Sequence, residues 1–294
     1  METTAPGRRE RPSRTAALTA APWFRTGAAV LFVFLWGSAF VPSKVGVLES
    51  SPLWFLVVRF AVSGALALAI ARAAGAGWPQ GWRAWALVAL LGVLANAIYL
   101  GANYEALRHL AAGVGAIVSS TNPLLLALVA PWLLAEPLTG KKALGMVLGF
   151  GGVVAIMFER AGSGTAEPRD VALALLGVVA SVASTIVYKK FLVALDVRMT
   201  TALQLLAASL AVLPFAALTE GAPHAHWGLP IVLAFLFLVL AMSIGGSLLW
   251  FWLLERGEAS RVSAYYFLSP VFGLGIASLF GEPLSWHDLG GLAA

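Results

Sequence analysis

Long apolar runs without charge recur along this chain from one end to the other, separated by loops of only a few residues. A membrane-spanning helix needs roughly 20 mostly apolar residues, because a rise of about 1.5 Å per residue must cross about 30 Å of hydrocarbon. Measured with that ruler, the runs cover approximately residues 27–48, 52–73, 83–104, 110–134, 143–158, 170–190, 199–218, 229–253 and 261–280, and a tenth opens near Trp286. They are continuous, whereas the strands of a membrane barrel would alternate over segments of about ten residues. Composition agrees: 60% of the 294 residues are hydrophobic and 11% are charged, where a soluble domain carries about a quarter charged residues. The expected fold is an all-α integral membrane protein, and a water-soluble enzyme is excluded.

Charge placement gives orientation. Residues 1–22 hold Arg8, Arg9, Arg11 and Arg14 among Pro, Thr and Ala and read as a disordered cytoplasmic tail. A cleavable signal peptide is disfavoured, because the first apolar run already has full spanning length and others follow. Alternating the loops between two sides puts 14 Lys and Arg on the side of the amino terminus and 4 on the other. The positive-inside rule then places the amino terminus in the cytoplasm, which for a bacterial chain means the inner membrane. The basic excess is thereby a topology signal, and no nucleic-acid partner is expected. The chain has no cysteine, and His109, His224, His226 and His287 all lie outside the runs. There is no phosphate-cradling Gly-x-x-x-x-Gly-Lys motif either, so neither metal, cofactor nor direct ATP drive is expected.

The chain also repeats itself. Asn122-Pro123 and then Ala135-Glu136-Pro137-Leu138-Thr139 return as Ser269-Pro270 and then Gly281-Glu282-Pro283-Leu284-Ser285, 146 to 147 residues on. Each copy holds five spans, and an odd number forces the second copy into the membrane upside down relative to the first. The expected organisation is a tail over 1–22, a first five-helix repeat over 23–160 and an inverted second repeat over 161–294. The tenth helix would be truncated, since the counterpart of Met157 falls near residue 303.

Trp36-Gly37-Ser38-Ala39-Phe40 in the first span, the paired proline motifs and the two Glu-Pro-Leu-Thr/Ser exits resemble the drug/metabolite transporter superfamily, in particular its EamA-type ten-helix members. The similarity covers essentially the whole chain. It implies a ten-helix exporter of small metabolites with both termini in the cytoplasm, and a central cavity built by helices one, three, four, six, eight and nine. Within that group the chain is most similar to YddG-type exporters of aromatic and other neutral amino acids.

Polar and aromatic residues at spacings of three, four and seven share one face of a helix. The first span offers Trp36, Phe40 and Ser43; the third offers Asn96, Tyr99 and Asn103; the fourth, Ser119 and Asn122. The sixth offers Ser181, Ser184 and Tyr188; the eighth, Ser243, Ser247 and Trp250; the ninth, Ser263, Tyr266 and Ser269. These are the candidate substrate-binding residues, although small polar residues also glue helices together in membranes. Pro123 and Pro270 each remove a backbone hydrogen bond, to the carbonyls of Ser119 and Tyr266, and are the candidate kinks or hinges. Most of the tryptophans fall at segment ends as interfacial anchors, with Trp36 the exception, about 13 Å into its helix.

No Asp or Glu lies inside a span. A proton-coupled exporter of cations ordinarily needs such a carboxylate, so an uncharged or zwitterionic substrate moving by facilitated diffusion is expected. Arg59, about seven residues into the second span, would either snorkel or pair with Glu49 or Glu105 as a gate, and Lys44 would snorkel. The leading reading is an exporter of aromatic and neutral amino acids, with a small-molecule substrate and the bilayer as partners. Export of drugs, purines or quaternary amines is the alternative, and a membrane-embedded enzyme is disfavoured because no span carries a catalytic arrangement. Gly145, Gly149 and Gly152, with Gly290 and Gly291, provide faces for close helix contact inside a monomer or in a weak homodimer.

Overall fold

The computed structural model describes residues 22–148, 151 and 167–279. All regular structure among them is helical, apart from an isolated bridge between Ser50 and Ala225. Among the described residues six helices are long and apolar enough to cross a membrane: α1 (Trp23–Glu49), α2 (Pro52–Ala73), α3 (Gly81–Ala106), α6 (Pro168–Leu192), α7 (Val197–Thr219) and α8 (Leu229–Arg256). Between and after them lie α4, formed by Ala112–Ser119 and Asn122–Leu133, α5 over 140–148, and α9, formed by Ala259–Ser263, Ala264–Leu268 and Ser269–Leu279. Most of the expected fifth span, all of the tenth, and the tail through residue 21 lie outside the described residues.

A bilayer offers the backbone no hydrogen-bond partners, so every peptide group in these apolar runs is satisfied within a helix. The ends are set by local chemistry. Pro52 opens α2 in the first turn, where its missing N–H costs nothing. Gly75, at φ +74°, closes the same helix: its N–H bonds to the Arg72 carbonyl and that of Ala76 to Ala71, a Schellman motif that a side chain would strain. Asp196 caps α7, accepting from the N–H groups of Arg198 and Met199. α1 begins several residues earlier than the apolar run suggests, because Trp23 and Phe24 continue it into an interfacial edge where Phe24 meets Trp252.

α2 and α7 form the most extensive helix contact. α4 packs on α9; α3 packs on α6 and on α7; α1 packs on α8 and on α9; α6 also meets α4, and α2 meets α8. Glycines bring backbones together at these seams. A methyl group at Gly92 would lie 2.1 Å from the Gln204 carbonyl oxygen, so α3 and α7 touch there without a side chain between them. Large apolar side chains such as Leu66, Ile70, Leu210, Phe215, Leu233 and Leu240 point outward, an arrangement that a lipid environment covers and water would not. Trp23, Trp82, Trp132 and Trp227 are exposed at helix ends, as interfacial anchors are.

Several helices are interrupted. α3 contains a π-helical segment over Val93–Ile98 and α8 one over Phe237–Gly246. α4 breaks at Ser120 and Thr121, and α9 passes through a 3₁₀ segment over Ala264–Leu268. Pro123 and Pro270 therefore start the second halves of divided helices instead of kinking continuous ones. The Tyr266 carbonyl, expected to be freed, accepts the Ser269 N–H, and Ser119 likewise has a partner.

Candidate functional site

A cavity with about 870 Å³ of non-atom space, its open mouth included, lies between α1, α2, α3, α6, α7, α8 and α9. Its near face is the one where α1 begins and its far face the one where α1 ends.

The near half is aromatic. Trp36 stacks on Tyr99 with ring centres 5.6 Å apart and planes 8° from parallel, and meets Tyr266 edge to face at 5.3 Å. Phe32 stacks on Trp250 at 5.0 Å, and Trp250 meets Tyr266 at 5.5 Å. Helices α1, α3, α8 and α9 thus each supply part of one aromatic wall. The indole Nε1 of Trp36 is buried and has no acceptor among the described residues, an unsatisfied donor on a ring that lines the cavity.

Neutral polar groups share the lining with these rings. Asn96 donates to the Gln204 side-chain carbonyl at 3.4 Å, and Asn103 to the Tyr99 backbone carbonyl at 2.9 Å. Ser181 and Ser184 of α6 and Ser247 of α8 complete this set. Asn96 and Ser243 both lie in the π-helical segments, whose extra residue per turn shifts the register of the lining face.

The far half is cationic. Arg59 is 4% exposed. Its Nε donates to Ser243 Oγ and its Nη1 to the Tyr104 hydroxyl, both at 3.0 Å, and that hydroxyl donates to Ser43 Oγ at 3.2 Å. Arg59 pairs with neither Glu49 nor Glu105, and it does not snorkel to the surface. Neighbouring helices supply its partners, which the distance to a helix end could not reveal. No Asp or Glu lines the cavity among the described residues.

Of the expected binding residues, Trp36, Phe40, Ser43, Asn96, Tyr99, Asn103, Ser181, Ser184, Ser243, Ser247, Trp250 and Tyr266 line this cavity. Ser119, Asn122, Tyr188, Ser263 and Ser269 do not. Asn122 donates to Ser181 Oγ at 3.0 Å and ties α4 to α6. Tyr188 donates to Glu255 and stacks on Phe251 at 4.1 Å, nearer the membrane edge. Ser119 and Ser269 are buried beside the helix interruptions. Arg59, Tyr104 and Gln204 join the lining without having been singled out as binding residues. Tyr104 was legible: it stands eight residues after Asn96, on the same helical face. Gln204 follows the logic applied to the asparagines, a large polar side chain within a span.

Both ends are held by contacts to helix termini. At the near face Glu136, beyond the end of α4, accepts from the N–H groups of Ala259 and Ser260 at 2.7 and 2.9 Å and from Ser260 Oγ, capping α9 from outside. Lys142 pairs with Glu258 at 2.8 Å, and Lys189 donates to the Leu254 and Gly257 carbonyls at the end of α8. The Lys142 hydrogen bond holds the Glu258 carboxyl below its ordinary range. At the far face Glu220 accepts from the Leu53 and Trp54 N–H groups at the start of α2 and pairs with Arg108 at 2.9 Å. Lys44 reaches the far end of α3, where it donates to the Leu107 and Leu110 carbonyls.

A bundle of membrane-spanning helices around a cavity lined by aromatic, neutral polar and cationic groups defines a multi-pass membrane carrier. No cluster of His, Cys, Asp and Glu able to hold a metal occurs among the described residues. The chain belongs to the EamA-like transporter family, which it matches twice, over residues 26–158 and 169–294. It is 31% identical to an uncharacterised transporter of Bacillus subtilis, YvbV, over 91% of this chain and 88% of that one. It is 26% identical to an uncharacterised transporter of Synechocystis, over 85% of this chain and 80% of that one, and 25% identical to protein PecM of Dickeya dadantii, over 84% and 80%. A solved crystal structure shares the fold with a TM-score of 0.72 at 20% identity, over 93% of this chain and 96% of the other. The function is membrane transport.

Proposed function

We propose that this transporter exports aromatic and other neutral amino acids across a bacterial inner membrane, by uncoupled alternating access of two inverted five-helix halves with the amino terminus in the cytoplasm. The observation that carries this reading is the cavity. Stacked rings suit an apolar side chain, and the hydroxyl, amide and guanidinium groups that line the same cavity suit a zwitterionic head. No carboxylate is present among its described residues to carry a coupling proton.

The ten-helix, inverted arrangement draws support from the packing. Exchanging α1 to α4 with α6 to α9 maps several main contacts onto one another: α3 on α6 corresponds to α8 on α1, α4 on α6 to α9 on α1, and α7 on α3 to α2 on α8. The π-helical segments of α3 and α8 correspond in the same way, and the family match falls once on each half. Lys44 holding the end of α3 at one face and Lys189 holding the end of α8 at the other form a related pair of latches. Rocking between two such faces requires each latch to break in turn.

Export of quaternary amines is the second reading, favoured by the aromatic wall, on which cations stack well. Flux of labelled phenylalanine, threonine and a lipophilic cation into proteoliposomes, with and without a pH gradient, separates the two. The amino-acid reading expects phenylalanine flux indifferent to the gradient. Movement of the cation alone, and only with the gradient, refutes it.

A further inference from the structure

We propose that Arg59 is the anion-binding residue of the cavity, so that the substrates carry a carboxylate beside an apolar body and amines lacking one are excluded; the choice of phenylalanine as a probe rests on the amino-acid reading above.

A guanidinium carries five N–H donors and keeps its proton. Here two of its nitrogens have partners, and both partners are neutral hydroxyls. No acidic group pairs with Arg59 among the described residues. A buried cation is costly unless an opposite charge or a full set of acceptors compensates it, and a lipid-facing arginine relieves that cost by reaching for the interface. Arg59 does neither: it is turned into the bundle and held there by Tyr104 from α3 and Ser243 from α8, with Ser43 of α1 behind Tyr104. Helices α1, α3 and α8 thus fix a cation that receives no compensating charge from the protein.

Two independent observations point to a ligand. The cavity lining contains an unpaired buried donor, Trp36 Nε1, and the other charged residues of the described chain do not line it. Gln204, 145 positions after Arg59 on α7, also lines the cavity. One half of the chain presents a cation where the other presents a neutral amide, which gives the cavity a polar direction. A carboxylate takes the remaining donors of a guanidinium in paired hydrogen bonds, and a planar anion fits that fork better than a point charge does.

Equilibrium binding of labelled phenylalanine, 3-phenylpropanoate and phenethylamine to the purified full chain tests this, with wild type, Arg59→Gln and Arg59→Lys compared at matched monodispersity. Wild type is expected to bind both carboxylates and to bind phenethylamine at least about tenfold more weakly. Arg59→Gln is expected to lose about tenfold or more in affinity for both carboxylates without weakening phenethylamine, with Arg59→Lys intermediate because it keeps the charge and loses the fork. Should Arg59→Gln fail to fold, the wild-type ranking and Arg59→Lys decide. The proposal is overturned if wild type binds phenethylamine as tightly as 3-phenylpropanoate, if neither carboxylate binds, or if the glutamine variant keeps its carboxylate affinity within about twofold. The two readings fail separately. Arginine-dependent binding of 3-phenylpropanoate without phenylalanine flux removes the amino-acid reading and keeps the anion site; phenylalanine flux indifferent to Arg59→Gln does the reverse.

Discussion

The two ends of the cavity are built by opposite rules. The aromatic end is assembled from Phe32, Trp36, Tyr99, Trp250 and Tyr266, which satisfy one another by stacking and edge contacts. The cationic end is built from Arg59, whose hydroxyl partners do not neutralise it. The rings of the aromatic wall pack on one another and leave the Trp36 Nε1 donor open, whereas the buried cation lacks a compensating charge altogether. On the proposed reading, the contrast assigns selectivity for the head group to the far end and apolar contact with many side chains to the near end.

The strongest way to break this contrast is at the cation. Arg59→Gln should reduce phenylalanine flux in proteoliposomes by about ten- to a hundredfold, the range expected for losing hydrogen bonds to a charged group. Trp36→Ala or Tyr99→Ala should reduce it by up to about tenfold, because each removes one aromatic partner from a shared wall. The folded yield of both alanine variants should stay intact, and unchanged flux in both would remove the aromatic end from the substrate path. The termini of the helices give a smaller effect. Glu136→Gln takes a negative charge from the start of α9 and should lower the thermal stability of the purified protein by about 1 kcal/mol.

The smallest effect concerns pH. Glu258 is held below the ordinary glutamate range, first by the Lys142 hydrogen bond. A carboxylate depressed in the folded state contributes stability above its unfolded pKa, about 4.3, and that contribution is lost as pH falls through the folded value. Glu258 is 45% exposed on its side chain, so the loss should be under about 1 kcal/mol. A Lys142→Ala variant should show a correspondingly shallower fall of melting temperature with acid.

The spans were readable because lipid demands long apolar runs, and the lining stripes of α1, α3 and α8 because polar groups avoid lipid. Three things were not. Whether Arg59 faces water, lipid or a cavity depends on Tyr104 and Ser243, which belong to other helices. Tyr188 shares the serine stripe of α6, yet a π-helical segment begins at that residue, and it turns to Glu255. Glu136 was legible as part of a repeated motif at a helix exit, but its action on the start of α9 joins residues 123 positions apart. Local pattern fixes which residues are polar and buried; the tertiary neighbour decides whether each binds a helix or a substrate.

The central claim is that the cavity holds its substrate with the anionic head at Arg59 and the apolar body against Trp36 and Tyr99. An experimental structure of the full chain with bound 3-phenylpropanoate tests it most directly. The account predicts carboxylate oxygens within hydrogen-bond distance of the Arg59 guanidinium and the phenyl ring packed on the aromatic wall. A reversed ligand, with the ring against Arg59 and the carboxylate among the rings, or a ligand seated outside this cavity, would contradict it.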